Sequence, residues 1–240
     1  TRIRGAVQLT KTDRDYPDSK LTGAEFTIYC DSNSNKELDA DDELVGTLTE
    51  TGIGVYEMSD LLYGGYFVKE TKAPEGFYLD DNAYYFEITE DGKAVTVENE
   101  AGKGFVNAPQ IGSLKIIKTS SDGKVEGFSF RVTGPNGYVG VFTTDKNGEI
   151  IIDDLRIGEY VVSEVSDGAS SAYVLPADKT ASVYEGAVTK VEMHNELRDT
   201  PKTGDDSNPA LWFALLGAST AGAAVLGIVG FRKRRKEGAE

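Results

Sequence analysis

Four charged residues occupy positions where the pattern of the chain calls for apolar ones. In "GAVQLTK", Val7, Leu9 and Lys11 fall on one face of an alternating run; in "GSLKIIK", Lys118 follows Gly112 at the spacing that separates Lys11 from Gly5. Glu70 shares the face of Tyr66 and Val68, and Glu164 that of Tyr160 and Val162. A charge on an inward face is costly unless it is paired or neutralised. Desolvation favours the neutral forms, so a buried lysine becomes an amine nucleophile and a buried glutamic acid keeps a proton to donate. A plain buried salt bridge, or an alternation that breaks down at a strand end, explains the same placement without chemistry.

The elements that must hold these residues are repeated. "GAVQLTKTD" (Gly5 to Asp13) matches "GSLKIIKTS" (Gly112 to Ser120), and "LTGAEFTIY" (Leu21 to Tyr29) matches "VEGFSFRVT" (Val125 to Thr133). "LLYGGYFVKE" (Leu61 to Glu70) matches "DLRIGEYVVSE" (Asp154 to Glu164), and "KGFVNAPQ" (Lys103 to Gln110) matches "VEMHNELR" (Val191 to Arg198). Four blocks in one order indicate a duplicated module. Period-two alternation of β-branched and aromatic residues predicts half-buried strands. Turn signals at Gly92, Gly123, Gly137 and Gly148 separate them. About seven short strands per module predict an all-β chain of two tandem Ig-like sandwiches with Greek-key connections. The expected boundaries are 1–110 and 111–198, with "NAPQIG" as a short joint between modules set end to end, and 199–240 as a tail.

Composition narrows the function. Net charge is −15, which argues against nucleic acid, whose phosphates call for clustered Lys and Arg. Hydrophobic residues make up 39% of the 240, enough for real cores. One cysteine, Cys30, excludes an intrachain disulfide and reads as core filler in "AEFTIYC". With one histidine besides, His194, little remains for zinc or for Ser/His or Cys/His catalysis.

The tail carries an address. Ala210 to Phe231 has 22 residues without a charge, which as a helix would span about 33 Å, a bilayer's hydrocarbon core. "RKRRK" (Arg232 to Lys236) follows at once, so the positive-inside rule places the 232–240 tail in the cytoplasm and the modules outside. Upstream stands "TPKTG", Thr200, Pro201, Lys202, Thr203 and Gly204, where the proline favours an extended, accessible segment. "TRIRGAVQLT" holds no apolar run of signal-peptide length, so the expectation is a mature form or a C-terminal piece of a longer chain.

Motif, span and basic tail together resemble a Gram-positive cell-wall sorting signal, with Thr200 where that family usually has Leu. The resemblance implies that a sortase cuts between Thr203 and Gly204 and joins Thr203 to an amine of the peptidoglycan or of a pilin. The membrane span then serves only as a transient anchor of the precursor. The modules resemble the collagen-adhesin B-type domains, also called SpaA-like or prealbumin-like pilin domains. The first carries "TKTD", "GAEFTIY", "LLYGGYFVKETKAPEGFYLDD" and "FVNAP"; the second carries "IIKTSSDG", "GFSFRVTGPNG", "TTDKNGEIIIDDLRIGEYVVSE" and "HNEL". In that family a first-strand Lys bonds covalently to a last-strand Asn with the help of a Glu. The resemblance therefore implies two sets, Lys11, Glu70 and Asn107, then Lys118, Glu164 and Asn195. The second module lacks the "APEGF" turn that follows Glu70.

"DSNSNKELDADD" sets Asp31, Asn33, Asn35, Glu37, Asp39 and Asp42 at the calcium-ligand positions of an EF-hand loop. Lys36 stands where the loop needs Gly, and no flanking helices are expected, so an acidic solvated insertion is the favoured reading and no cofactor is expected. The function expected is an extracellular, wall-anchored stalk of an adhesin or pilin subunit rather than an enzyme. The alternative is a module binding a host matrix or glycan ligand through exposed Tyr78, Tyr84 and Tyr138.

Overall fold

The computed structural model describes residues 2–199; the TPKTG motif, the 210–231 span and the basic tail lie outside them. The first module is built from β1 (Arg4–Asp13), β2 (Glu25–Cys30), β3 (Glu43–Thr47), β4 (Thr49–Gly52), β5 (Val55–Leu62), β6 (Gly64–Lys72), β7 (Ala83–Ile88), β8 (Ala94–Thr96) and β9 (Phe105–Asn107). One sheet runs β4-β5-β1-β8 with β9 also on β1, and it faces a second sheet ordered β3-β2-β6-β7. The second module repeats the plan with β10 (Ile111–Ser120), β11 (Ser129–Thr133), β12 (Val139–Thr143), β13 (Glu149–Arg156), β14 (Gly158–Glu164), β15 (Tyr173–Val174), β16 (Lys179–Val183) and β17 (Val188–Leu197). Its sheets are β13-β10-β17-β15 and β12-β11-β14-β16. Among the described residues the chain is therefore all-β, two sandwiches, with more and shorter strands than sequence spacing suggested.

In both sandwiches the first strand pairs antiparallel with one mid-module strand, β5 or β13, and parallel with the last. A parallel pair needs a long connection, so almost the whole module lies between its two members. The glycine that opens each repeat has a steric reason. A Cβ on Gly5 would lie 2.8 Å from both Ile88 and the Lys93 carbonyl, and Gly112 is packed as tightly against Tyr184 and Val183. Each glycine sits at a register shift against the neighbouring strand, where a bulge re-aims the residues that follow.

The cores are separate. Val7, Leu9, Phe26, Ile28, Tyr56, Val68 and Phe105 fill the first; Leu114, Ile116, Phe128, Phe130, Tyr160, Val162 and Met193 fill the second. Cys30 packs against the edge of the first core, and burial, with Glu43, Asp31 and Asp42 nearby, raises its thiol above the ordinary range. The joint is tied to both modules: Gln110 N–H donates to Gly76 O (2.8 Å) and Ile157 N–H to Gln110 O (3.1 Å). Arg156 adds a fork across the joint, with Nη1 2.6 Å from Asp13 Oδ2 and Nη2 2.8 Å from Asp13 Oδ1 and 2.9 Å from Asp15. Its guanidinium also lies over the rings of Tyr16 and Phe77. The side chain of Asp13 is 3% exposed, so the bidentate pair is shielded from solvent and worth more than a surface ion pair.

Candidate functional site: a Lys–Glu–Asn cluster in each sandwich

The alternation places the charges inside. Lys11 and Glu70 are 0% exposed, Lys118 1% and Glu164 9%. Lys11 lies opposite Phe105 in the parallel β1–β9 pair and Asn107 is two residues further on; Lys118 lies opposite Met193 and Asn195 is again two residues further on. Side chains two apart on a strand share a face, so the shared offset turns each Lys and Asn into the same interior. Glu70 and Glu164 arrive from the facing sheet, opposite Phe26 and Phe130 of the neighbouring strand.

In the first module Asn107 Nδ2 donates to both oxygens of Glu70, at 3.0 and 2.9 Å, and Lys11 Nζ lies 3.4 Å from Glu70 Oε1. Lys11 also donates to Phe105 O (2.9 Å) and sits over the Phe105 ring. Glu70 Oε2 takes a further hydrogen bond from the Asp80 backbone N–H (2.9 Å). In the second module Asn195 Nδ2 donates to Glu164 Oε1 (2.6 Å), and Lys118 donates to Thr119 O (2.5 Å) beneath the Phe128 ring. The carbonyl oxygens of Asn107 and Asn195, and Glu164 Oε2, are buried without a hydrogen-bond partner. Leaving a buried acceptor unmet costs about 1–3 kcal/mol, and the unmet Asn carbonyl recurs at matched positions in the two modules.

The electrostatics lean toward neutral groups. Burial brings the Lys11 ammonium down from 10.5 to about 8, against the opposing pull of Glu70. Burial likewise lowers Lys118, opposed by Glu164 and Asp122, and raises Glu164, opposed by the Asn195 hydrogen bond and Lys118. An amine that burial eases toward its neutral form, set beside a carboxyl and an amide whose nitrogen that carboxyl holds, supplies the groups an amidation needs.

An uncrosslinked first module carries a pH signature of this burial. The folded value for Lys11 lies below the unfolded one, so the unfolded chain binds more protons between about pH 8 and 10.5. Stability contributed by neutral Lys11 is therefore present at high pH and lost as pH falls toward 8. For Asn107→Ala, the urea midpoint of the first module is expected to rise from pH 7.5 to 9.5. Adding Lys11→Met should flatten that rise; an equal slope in both variants would assign it elsewhere.

The acidic loop folds on itself. Asp31 accepts the N–H groups of Asn35 (3.2 Å) and Lys36 (3.3 Å), Asp39 accepts the amides of Asn33 (3.1 Å) and Asn35 (2.7 Å), and Asp42 accepts the Ser32 and Asp39 N–H groups (3.0 Å each). Glu37 donates its N–H to Asn35 Oδ1 and has an exposed side chain. Among the described residues no group of three or more His, Cys, Asp or Glu is placed to hold a metal ion. Strands β2 and β3 flank the loop, not helices.

Two of the three tyrosines expected at the surface are instead partly buried. Tyr84 packs edge-on against Phe105 and donates to Asp80 Oδ2 (2.7 Å), and Tyr138 packs on Tyr160; Tyr78 is 40% exposed. Sequence reasoning missed the Asp13–Arg156 fork, whose partners are 143 residues apart. It also missed the Asp80 N–H behind Glu70, since a backbone donor leaves no residue-type signal.

Two sandwiches closed by a parallel pair of first and last strands define a tandem prealbumin-like β protein. The chain belongs to the family of the SpaA prealbumin-like fold domain, whose model matches residues 5–102 and 112–197. It is similar to the Bacillus anthracis TIE protein, with 25% identity and a TM-score of 0.61 over 80% of this chain and 34% of that one. A C-terminal fragment of the pilus adhesin SpaC from Lactobacillus rhamnosus GG shares the fold, at 17% identity and TM-score 0.50, covering 82% of this chain and 99% of the fragment. Colossin-A of Dictyostelium discoideum is 28% identical over 137 residues, 50% of this chain and 1% of Colossin-A. The chain thus spans only a small part of Colossin-A and about a third of the TIE protein.

Proposed function

We propose that the chain is the stalk of a cell-wall-anchored bacterial adhesin or pilin subunit, each module locked by a self-made Lys–Asn isopeptide bond. The observation that carries this reading is the recurrence of one Lys–Glu–Asn cluster at the seam of first and last strands in both sandwiches. The amine of Lys11 attacks Cγ of Asn107; the Nζ–Cγ bond forms, the Cγ–Nδ2 bond breaks, and one proton passes from Nζ by way of Glu70 to Nδ2, which leaves as ammonia. Lys118, Glu164 and Asn195 do the same. Each set acts once, so the protein is not an enzyme in the turnover sense. The fold supplies proximity, turning an intrinsically slow amidation into an intramolecular one.

Domain limits of 1–110 and 111–198, followed by a sorting signal over 199–240, fit this reading. A sortase would cleave Thr203–Gly204 and transfer Thr203 to a peptidoglycan or pilin amine, leaving the modules outside the cell. In a Gram-positive host expressing the chain behind a secretion signal, the protein is expected in the wall fraction after muramidase digestion. Thr203→Ala should move it to the membrane fraction; unchanged wall attachment would overturn the sorting assignment.

A further inference from the structure

The two clusters are mounted differently. In the second module Asn195 belongs to one unbroken strand, paired with β10 from Ser113–Val188 through Ser120–Asn195. In the first module the last strand is interrupted: β8 ends at Thr96 and β9 begins at Phe105, leaving a three-residue strand to present Asn107. Such a short strand, with three register pairs to β1, is poorly fixed by its own ladder.

Asn99, in the interruption, bridges the gap. Its Nδ2 donates to Val106 O (2.9 Å) and its Oδ1 accepts the Val106 N–H (2.6 Å), so the carboxamide pairs with the residue beside Asn107 as a strand neighbour would. The same Nδ2 donates to Asp80 Oδ2 (2.8 Å), which also accepts from Tyr84 OH (2.7 Å). Asp80 in turn gives its backbone N–H to Glu70 Oε2. One side chain therefore touches both the strand that carries the electrophile and the loop that orients the carboxyl. Glu70 Oε2 is thus held by a backbone donor, while Oε1 is the oxygen that faces Lys11. In the second module Glu164 Oε2 has no such donor.

We infer that Asn99 is a positioning residue for the first crosslink, acting through Val106 on Asn107 and through Asp80 on Glu70. The inference rests on the crosslinking reading above. Small misplacements of reacting groups are costly to rate, so Asn99→Ala is expected to slow ammonia loss from the first module by about 10- to 100-fold. The second module, in the same molecule, keeps its pace and serves as the internal clock.

The test is a time course of intact mass on the full two-module chain made by cell-free synthesis, chased, and quenched in acid denaturant. Protease resistance before the quench establishes that the chain is folded while the bond forms, a condition under which a merely stabilising residue leaves the rate unchanged. Slowing confined to the first module supports the inference. Folded Asn99→Ala protein that loses both ammonias at the native rate overturns it and leaves the crosslinking reading standing. Native protein that never loses the first ammonia overturns both. Should Asn99→Ala not fold, Tyr84→Phe keeps the ring contact with Phe105 and removes the hydroxyl that meets Asp80 and Asn99. A few-fold slowing of the first crosslink is then expected, and an unchanged rate sinks the inference.

Discussion

Asn107→Ala is expected to carry the mass calculated for an open first module and to lose a large part of that module's stability. Native protein through Asp199 should weigh two ammonia molecules less than its sequence, Asn107→Ala one less, and the variant with Asn195→Ala as well none less. Lys11 and Asn107 enclose nearly all of the first module. By analogy with a disulfide closing a loop of about 100 residues, opening it costs about 4–5 kcal/mol through the entropy of the unfolded chain. That is a large fraction of a small domain's total stability of about 5–15 kcal/mol. Chemical denaturation of the variant should show an early transition for the first sandwich and leave the second in place. A native mass equal to the calculated one would reduce Lys11 and Glu70 to an ordinary buried ion pair. Full native stability in the variant would make the bond thermodynamically idle.

The placement of the buried charges was legible in the chain. Alternation alone put Lys11, Lys118, Glu70 and Glu164 on inward faces, because a period of two fixes the face of every residue in a strand once its apolar members are known. The repeated glycines announced the equivalence of β1 and β10. Strand number was less legible: short edge pieces such as β4 and β15 have too few residues to show a period. The Asp31 to Asp42 spacing matches an EF-hand loop in sequence, while in the fold the loop's oxygens are engaged by its own amides and N–H groups. Tyr84 and Tyr138 look alike to any surface count, and only the pairing of β7 with β6 and the turn before β12 put their rings against the cores.

The long-range polar contacts were not legible at all. Asp13 follows Lys11 by two residues and lies opposite Asn107, so the Arg156 fork from the second module grips the strand pair that holds Lys11 and Asn107. A pull transmitted through the joint thus reaches β1 and β9 beside Lys11 and Asn107 rather than at a free strand end. The orientation of Glu70 by a backbone N–H is similarly invisible, since register, not residue type, decides which amide is nearby.

Glu70→Gln separates two roles that burial gives Glu70. Its charge raises the Lys11 pKa against the desolvation that lowers it, so an uncharged glutamine leaves more of the amine neutral. If the supply of neutral amine limited the reaction, this variant would crosslink faster than native protein. If the carboxyl instead carries the proton from Nζ to the departing Nδ2, glutamine cannot replace it, and general acid–base catalysis worth about 10²- to 10⁴-fold is lost. The geometry favours the second: both Glu70 oxygens lie at hydrogen-bond distance from Asn107 Nδ2, with Oε1 also nearest Lys11. Glutamine fits the same space and can still accept the Asp80 N–H, so the sandwich should fold and the first module should remain uncrosslinked over hours while the second closes. Glu164→Gln should give the mirror result. A Glu70→Gln chain that closes both modules at the native rate would leave proximity alone as the source of the bond.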